Sequence, residues 1–142
     1  MERVSPEIKE IMKERFGKDS LIALATLDGE WPSVRTVNAV YEEGAFYVIT
    51  YALSGKMGQI EKCPRVAVSG EWFTARGMGE NLGHVLQPRH HQIMEKLRSA
   101  FASWYGNGHV NEQDPHTCLL RIRLTEGILF SHGRRYEIDF SA

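Results

Sequence analysis

Residues 20–51, SLIALATLDGEWPSVRTVNAVYEEGAFYVITY, decide how this chain folds. Leu21–Leu27 is a run of β-formers, apolar enough to read as a strand covered on both faces. Asp28-Gly29 breaks it. From Ser33 to Tyr41 the residues alternate, with Val34, Thr36, Asn38 and Val40 on one face and Arg35, Val37, Ala39 and Tyr41 on the other. Glu42-Glu43-Gly44 makes the next turn, and residues 45–51 form a third strand. Three strands on short turns predict an antiparallel meander, not alternating strand–helix units.

The flanking sequence adds helices and more strands. Ser5-Pro6 is a cap followed by proline at the first helical position, and Ile8, Ile11, Met12 and Phe16 then recur at helical steps, so a helix runs from Pro6 to Phe16. After Ser54 the pattern is helical through Met57 and Ile60 until Pro64. Arg65–Ser69 reads as a fourth strand and Trp72–Arg76 as a fifth, with GMGENLG (77–83) a loop. Pro88 opens the longest helix, whose apolar stripe is Ile93, Leu97, Phe101 and Trp104, and Gly106-Asn107-Gly108 ends it. Two last strands cover about Thr117–Leu124 and Gly127–Phe140, with a break at His132-Gly133. The expectation is a mainly β (α+β) fold, a small antiparallel barrel of six or seven strands with about three flanking helices.

Composition narrows the function. A chain of 142 residues without repeats or linkers is expected to be one domain, 1–142. Its formal net charge of −1 supplies no broad basic field, so neither nucleic acid nor an anionic membrane is an expected partner. No apolar run approaches the roughly 20 residues a bilayer span needs, and the charged N-terminus is not a secretory signal. Cys63 and Cys118 lack a Cys-x-x-Cys partner and read as free thiols, which places the chain in the cytoplasm.

The stretch ITYALSGKMGQIEK (49–62) carries the chemistry. A strand ends at Thr50, a loop passes Ser54, and a helix starts with Lys56 in its first turn. Lysine there faces the positive end of the helix dipole, a misfit that a bound anion would remove. Ser54 is otherwise a plain cap and Lys56 a solvated side chain. Arg35, in mid-strand on the face of Val37 and Ala39, needs a partner or an opening to solvent. The adjacent strand leads to Thr50, so Arg35 and Lys56 can approach one spot. Two cations, two hydroxyls and a helix N-terminus describe a phosphomonoester site. The other use of Arg35 is a salt bridge to Glu42, Glu43 or Glu61.

R-T-V-N-A-V (35–40), the strand ending in Ile49-Thr50, and the T-x-x-x-S-x-K spacing of Thr50, Ser54 and Lys56 resemble the pyridoxamine 5′-phosphate oxidase-like split-barrel flavoproteins. KCPRVAVSGEW (62–72) and SHGRRYEIDF (131–140) extend the resemblance over most of the chain. It implies a homodimeric split barrel that binds FMN at the subunit interface. Arg35 and Lys56 would hold the FMN phosphate, with Thr50 and Ser54 at the hydroxyl positions. The backbone of Thr36, Val37 and Asn38 would run beside the isoalloxazine ring. Val40 stands where the oxidases carry a substrate lysine, and the tail lacks their Arg-x-His. The resemblance is thus to the short, general-stress-protein-like branch. It implies a flavin-dependent oxidoreductase acting on a small-molecule redox substrate other than vitamin B6.

No residue pattern marks a general acid or base. The six histidines show no ligand spacing, so no metal is expected. Trp72 and Phe73 suit either a ring wall or plain core. Other readings are a deazaflavin-dependent reductase, a flavin or haem carrier or sensor without turnover, and a ligand-free interaction module.

Overall fold

The structure, a computed structural model, describes residues 1–141. In chain order the elements are β1 (Glu2–Arg3), α1 (Pro6–Phe16), β2 (Ser20–Asp28), β3 (Trp31–Glu42), β4 (Ala45–Tyr51), α2 (Gly55–Lys62), β5 (Arg65–Gly70), β6 (Phe73–His84), a 3₁₀ turn (Pro88–His90), α3 (His91–Ala100), α4 (Ala102–Tyr105), β7 (Thr117–Ser131) and β8 (Arg134–Asp139). The strands pair in the order β1-β8-β7-β4-β3-β2-β5-β6, and β6 also pairs with β7. Six strands therefore close into a barrel, with β8 and the short parallel β1 added beside β7. β7 is long enough to serve both parts. Thr117–Arg123 pairs with β4, and Glu126–Ser131 pairs with β8.

Local chemistry sets several boundaries. The Ser5 hydroxyl accepts from the Ile8 amide at 3.2 Å, which satisfies a free donor at the start of α1. The hairpins at Glu43-Gly44 and His132-Gly133 have positive φ at both turn residues, the mirror-image turn whose twist matches paired strands.

The barrel interior is apolar. Ile22, Leu24, Phe46, Val48, Leu120 and Ile122 are buried there. α1 closes the Ile22 end, where Phe16 packs against Phe46 and Phe73 with ring centroids 5.6 and 5.5 Å apart. α2 closes the Thr26 end through Met57 and Ile60. A second cluster lies outside the wall, where Met94, Leu97 and Phe101 cover Val40 and Leu119.

Four expectations need correction. GMGENLG is strand, not loop: Gly77 to Asn81 pair with Leu124 to Leu120. Its glycines mark close approach, since a Cβ on Gly77 would lie 2.5 Å from the Arg123 carbonyl oxygen. β2 is covered on one face only. Ile22, Leu24 and Thr26 are buried, whereas Ala23 and Ala25 line an open groove of about 560 Å³ and Leu21 is 66% exposed. The long helix is broken at Phe101, which lets Trp104 stack on that buried ring at 4.8 Å and donate to Asp19 at 3.0 Å. The tail runs unbroken through Leu124–Gly127 and turns only at His132-Gly133.

Gly77→Ala tests the close approach. Overpacking of this kind costs about 1–3 kcal/mol. The urea midpoint should fall while the m-value stays unchanged.

Candidate functional site

β3 and β4 pair only over Val40–Glu42 and Ala45–Tyr47. Before Val40, β3 stays with β2, while β4 continues alongside β7. The two strands thus diverge. The edge of β3 over residues 31–39 that faces β4 has no strand partner among the described residues. α2 follows β4 and packs across the end of this split.

Arg35 lies on β3 beside this split, on the same face as the buried Ala39 and Tyr41. Its Nη1 donates to the Thr26 hydroxyl at 2.7 Å and the Leu24 carbonyl at 3.1 Å. Its Nη2 donates to the Ser33 hydroxyl at 3.0 Å and to Gln59 Oε1 at 3.3 Å. Every partner is neutral. Glu42 pairs with Lys96 at 2.5 Å and Glu43 with Lys9 at 3.9 Å, so neither serves Arg35. Among the described residues no carboxylate forms an ion pair with Arg35 or Lys56.

Lys56 is half-buried, and its ammonium donates to the Ser54 hydroxyl at 3.5 Å. Burial, and then the positive charge of Arg35, hold the Lys56 ammonium below the ordinary lysine value, while the nearby Cys118 thiol acts the other way. Burial also lowers Arg35. Arg35 thus adds to the burial that disfavours the charged form of Lys56. Thr50 is paired with Cys118 and faces the interior like Phe46 and Val48. Ser54 occupies the cap position of α2, yet its hydroxyl makes no capping bond and the first turn holds no acidic residue. The opening N–H groups of this helix lack a side-chain acceptor, which favours an anion.

Hydrogen bonds thus join Lys56 to Ser54 and Arg35 to Gln59 of the same helix, and among the described residues none joins the Thr50 side chain to them. Thr36, Val37 and Asn38 lie on the stretch of β3 whose second edge has no strand partner among the described residues. Val37 packs against the interior, Thr36 is exposed on the outer face, and the Asn38 amide donates to Asp19 at 2.9 Å.

Three residues of this corner escape the sequence reading: Thr26, Ser33 and Gln59. Thr26 is hidden within an apolar run, although a polar side chain only 2% exposed needs a partner. It sits opposite Ser33 in the β2–β3 register. Gln59 follows Lys56 by one helical turn and shares its face, a spacing that was open to reading.

No family model matches the sequence, and no curated protein matches it. Solved structures match by shape. One is a candidate pyridoxamine 5′-phosphate oxidase from Listeria innocua, 12% identical, aligned over 87% of this chain and 95% of that one with a TM-score of 0.64. A second is an FAD-binding protein from Mesorhizobium loti, 15% identical over 83% and 90% of the two chains, with a TM-score of 0.65. A third is the haem storage protein HutZ from Vibrio cholerae, 19% identical over 93% and 99%, with a TM-score of 0.67. The fold is that of the pyridoxamine 5′-phosphate oxidase-like split barrels. No helix of the described residues is long and apolar enough to cross a membrane.

The lowered Lys56 predicts a stability gain on its removal. The folded state is penalised while Lys56 is charged, and the penalty fades as pH rises from the lowered value toward the free lysine value of about 10.4. Lys56→Met should raise the urea midpoint of unliganded protein at neutral pH. The gain over wild type should vanish as the titration is repeated toward that upper value.

Proposed function

We propose that this chain binds FMN, with the phosphate held between Arg35 and Lys56, and works as a flavin-dependent oxidoreductase on a small-molecule substrate. The supporting observation is that Arg35 and Lys56 are both partly buried, that Arg35 disfavours the charge of Lys56, and that no carboxylate among the described residues pairs with either. A phosphomonoester carries the missing charge. The Ser54 and Thr50 hydroxyls and the opening N–H groups of α2 suit its remaining oxygens. Gripped there, an attached ring system would lie along the unpaired β3 edge, where backbone groups of Thr36 to Asn38 can orient it. Bound flavin supplies the hydride chemistry. The chain supplies grip, orientation and shielding.

The barrel interior is filled, so the ring would remain outside it. A second copy of the chain would cover that ring. The outer face of β2 and β3 suits such a homodimer, with Leu21 66% and Val34 69% exposed beside the alanine-lined groove. Val40 lies 2% exposed under α3, where the oxidases use a substrate lysine, which supports a substrate other than vitamin B6.

A visible spectrum of freshly purified protein, with identification of what is released on unfolding, tests the reading. FMN supports it; bound haem or a deazaflavin overturns it. Arg35→Ala and Lys56→Ala should each weaken FMN about ten- to a hundredfold, since a charge-assisted contact is worth about 1.5–3 kcal/mol. Flavin fluorescence titration of apo-protein measures this. Unchanged affinity in both variants would count against the phosphate clamp.

A further inference from the structure

We infer that Gln59 is the positioning residue that makes this corner selective for a dianion. The inference rests on the anion-site reading of Arg35 and Lys56, but not on the flavin itself. Gln59 Oε1 accepts from two donors, the Thr26 hydroxyl at 2.5 Å and Arg35 Nη2 at 3.3 Å. The direction of these bonds is forced. A guanidinium can only donate, so the end of Gln59 facing Arg35 Nη2 is the carbonyl oxygen, and Thr26, which accepts from Arg35 Nη1 at 2.7 Å, gives its own proton to that oxygen. The Gln59 carbonyl is therefore the end that meets both groups. Thr26 is 2% exposed, so this tether is anchored in the barrel wall.

A glutamate at position 59 has the same shape and could accept the same two bonds, more strongly. It would also bring a negative charge onto Arg35 and cancel half of the corner's formal charge. Glutamine keeps the guanidinium aimed while leaving its charge free. Two uncompensated cations match a phosphomonoester, which carries a charge near −1.5 to −2 at neutral pH. They match a singly charged diester or an uncharged riboside less well. The side-chain hydrogen bonds of Gln59 go to Thr26 and Arg35, so it acts through Arg35.

The test compares wild type, Gln59→Glu and Gln59→Met with three probes: inorganic phosphate, FMN and riboflavin. Thermal shift reads phosphate protection, and fluorescence titration reads both flavins. In Gln59→Glu, phosphate protection should disappear and FMN affinity should fall about ten- to a hundredfold, with riboflavin affinity unchanged. Gln59→Met, which loses both hydrogen bonds but adds no charge, should lose only a few-fold. A purely structural role predicts the reverse order, because glutamate retains the bonds that methionine lacks. Equal FMN affinity in wild type and Gln59→Glu, or a greater loss in Gln59→Met, overturns the inference and leaves the FMN reading standing. Protection of wild type but not Gln59→Glu by phosphate, with no further effect of FMN, supports the inference and overturns the flavin reading. No protection of wild type by millimolar phosphate overturns the inference. If Gln59→Glu does not fold, the FMN-to-riboflavin affinity ratio of Gln59→Met decides: a change of a few-fold supports the inference, and a tenfold or greater loss overturns it.

Discussion

Before Val40, β3 is held by β2 alone, and only from Val40 onward does it pair with β4. Its ladder with β2 runs from Trp31 to Ala39, while its ladder with β4 holds only Val40 to Glu42. Unpaired strand edges are exposed to solvent or to other chains unless something covers them. Here Gln59 of α2 meets Arg35, which also binds the neighbouring β2 through Leu24 and Thr26. The barrel stays closed because β7 ties β4 to β6 on the far side. The opening is thus a product of strand register, and the polar groups it frees are the ones a ligand can use.

The cations at this opening work against the fold. Arg35 and Lys56 are each partly withdrawn from water, and Lys56 is further disfavoured by the charge of Arg35. Neutral acceptors on Thr26, Ser33 and Gln59 satisfy the hydrogen bonds of Arg35 without removing that conflict. Protein sites that bind ligands commonly hold such stored cost, which is offset by packing elsewhere. In this chain the offset comes from two apolar clusters, one filling the barrel and one outside it under α3.

The two sides of the wall differ for a related reason. Over β4 and β7, the stripe of Met94, Leu97 and Phe101 covers the sheet, and the Asp19 carboxylate fastens the far end by accepting from Trp104 and Asn38. Over β2 and β5, Ala23, Ala25 and Ala67 leave a shallow, open face. Small residues there keep the surface flat and low, which suits contact with another broad surface better than with a helix.

Local signals were enough for most of the element order. The Ser5-Pro6 start of α1, the tight turn at Glu43-Gly44 and the period-two alternation of β3 are properties of a few adjacent residues, and the structure matches them, while the first turn falls one residue later than Asp28-Gly29, at Gly29-Glu30. So is the placement of Lys56 in the first turn of α2. The glycines of residues 77–83 misled because glycine marks both loops and crowding, and only the neighbouring Arg123 backbone distinguishes the two. Thr26 and Gln59 stayed hidden because their importance lies in contacts to Arg35 from two other elements, separated by nine and 24 positions. Alternation and capping act between neighbours in the chain, so residue order alone carried them. The meeting of Arg35, Thr26 and Gln59 depended on where one ladder stops and a helix crosses, and that came only with the closed barrel.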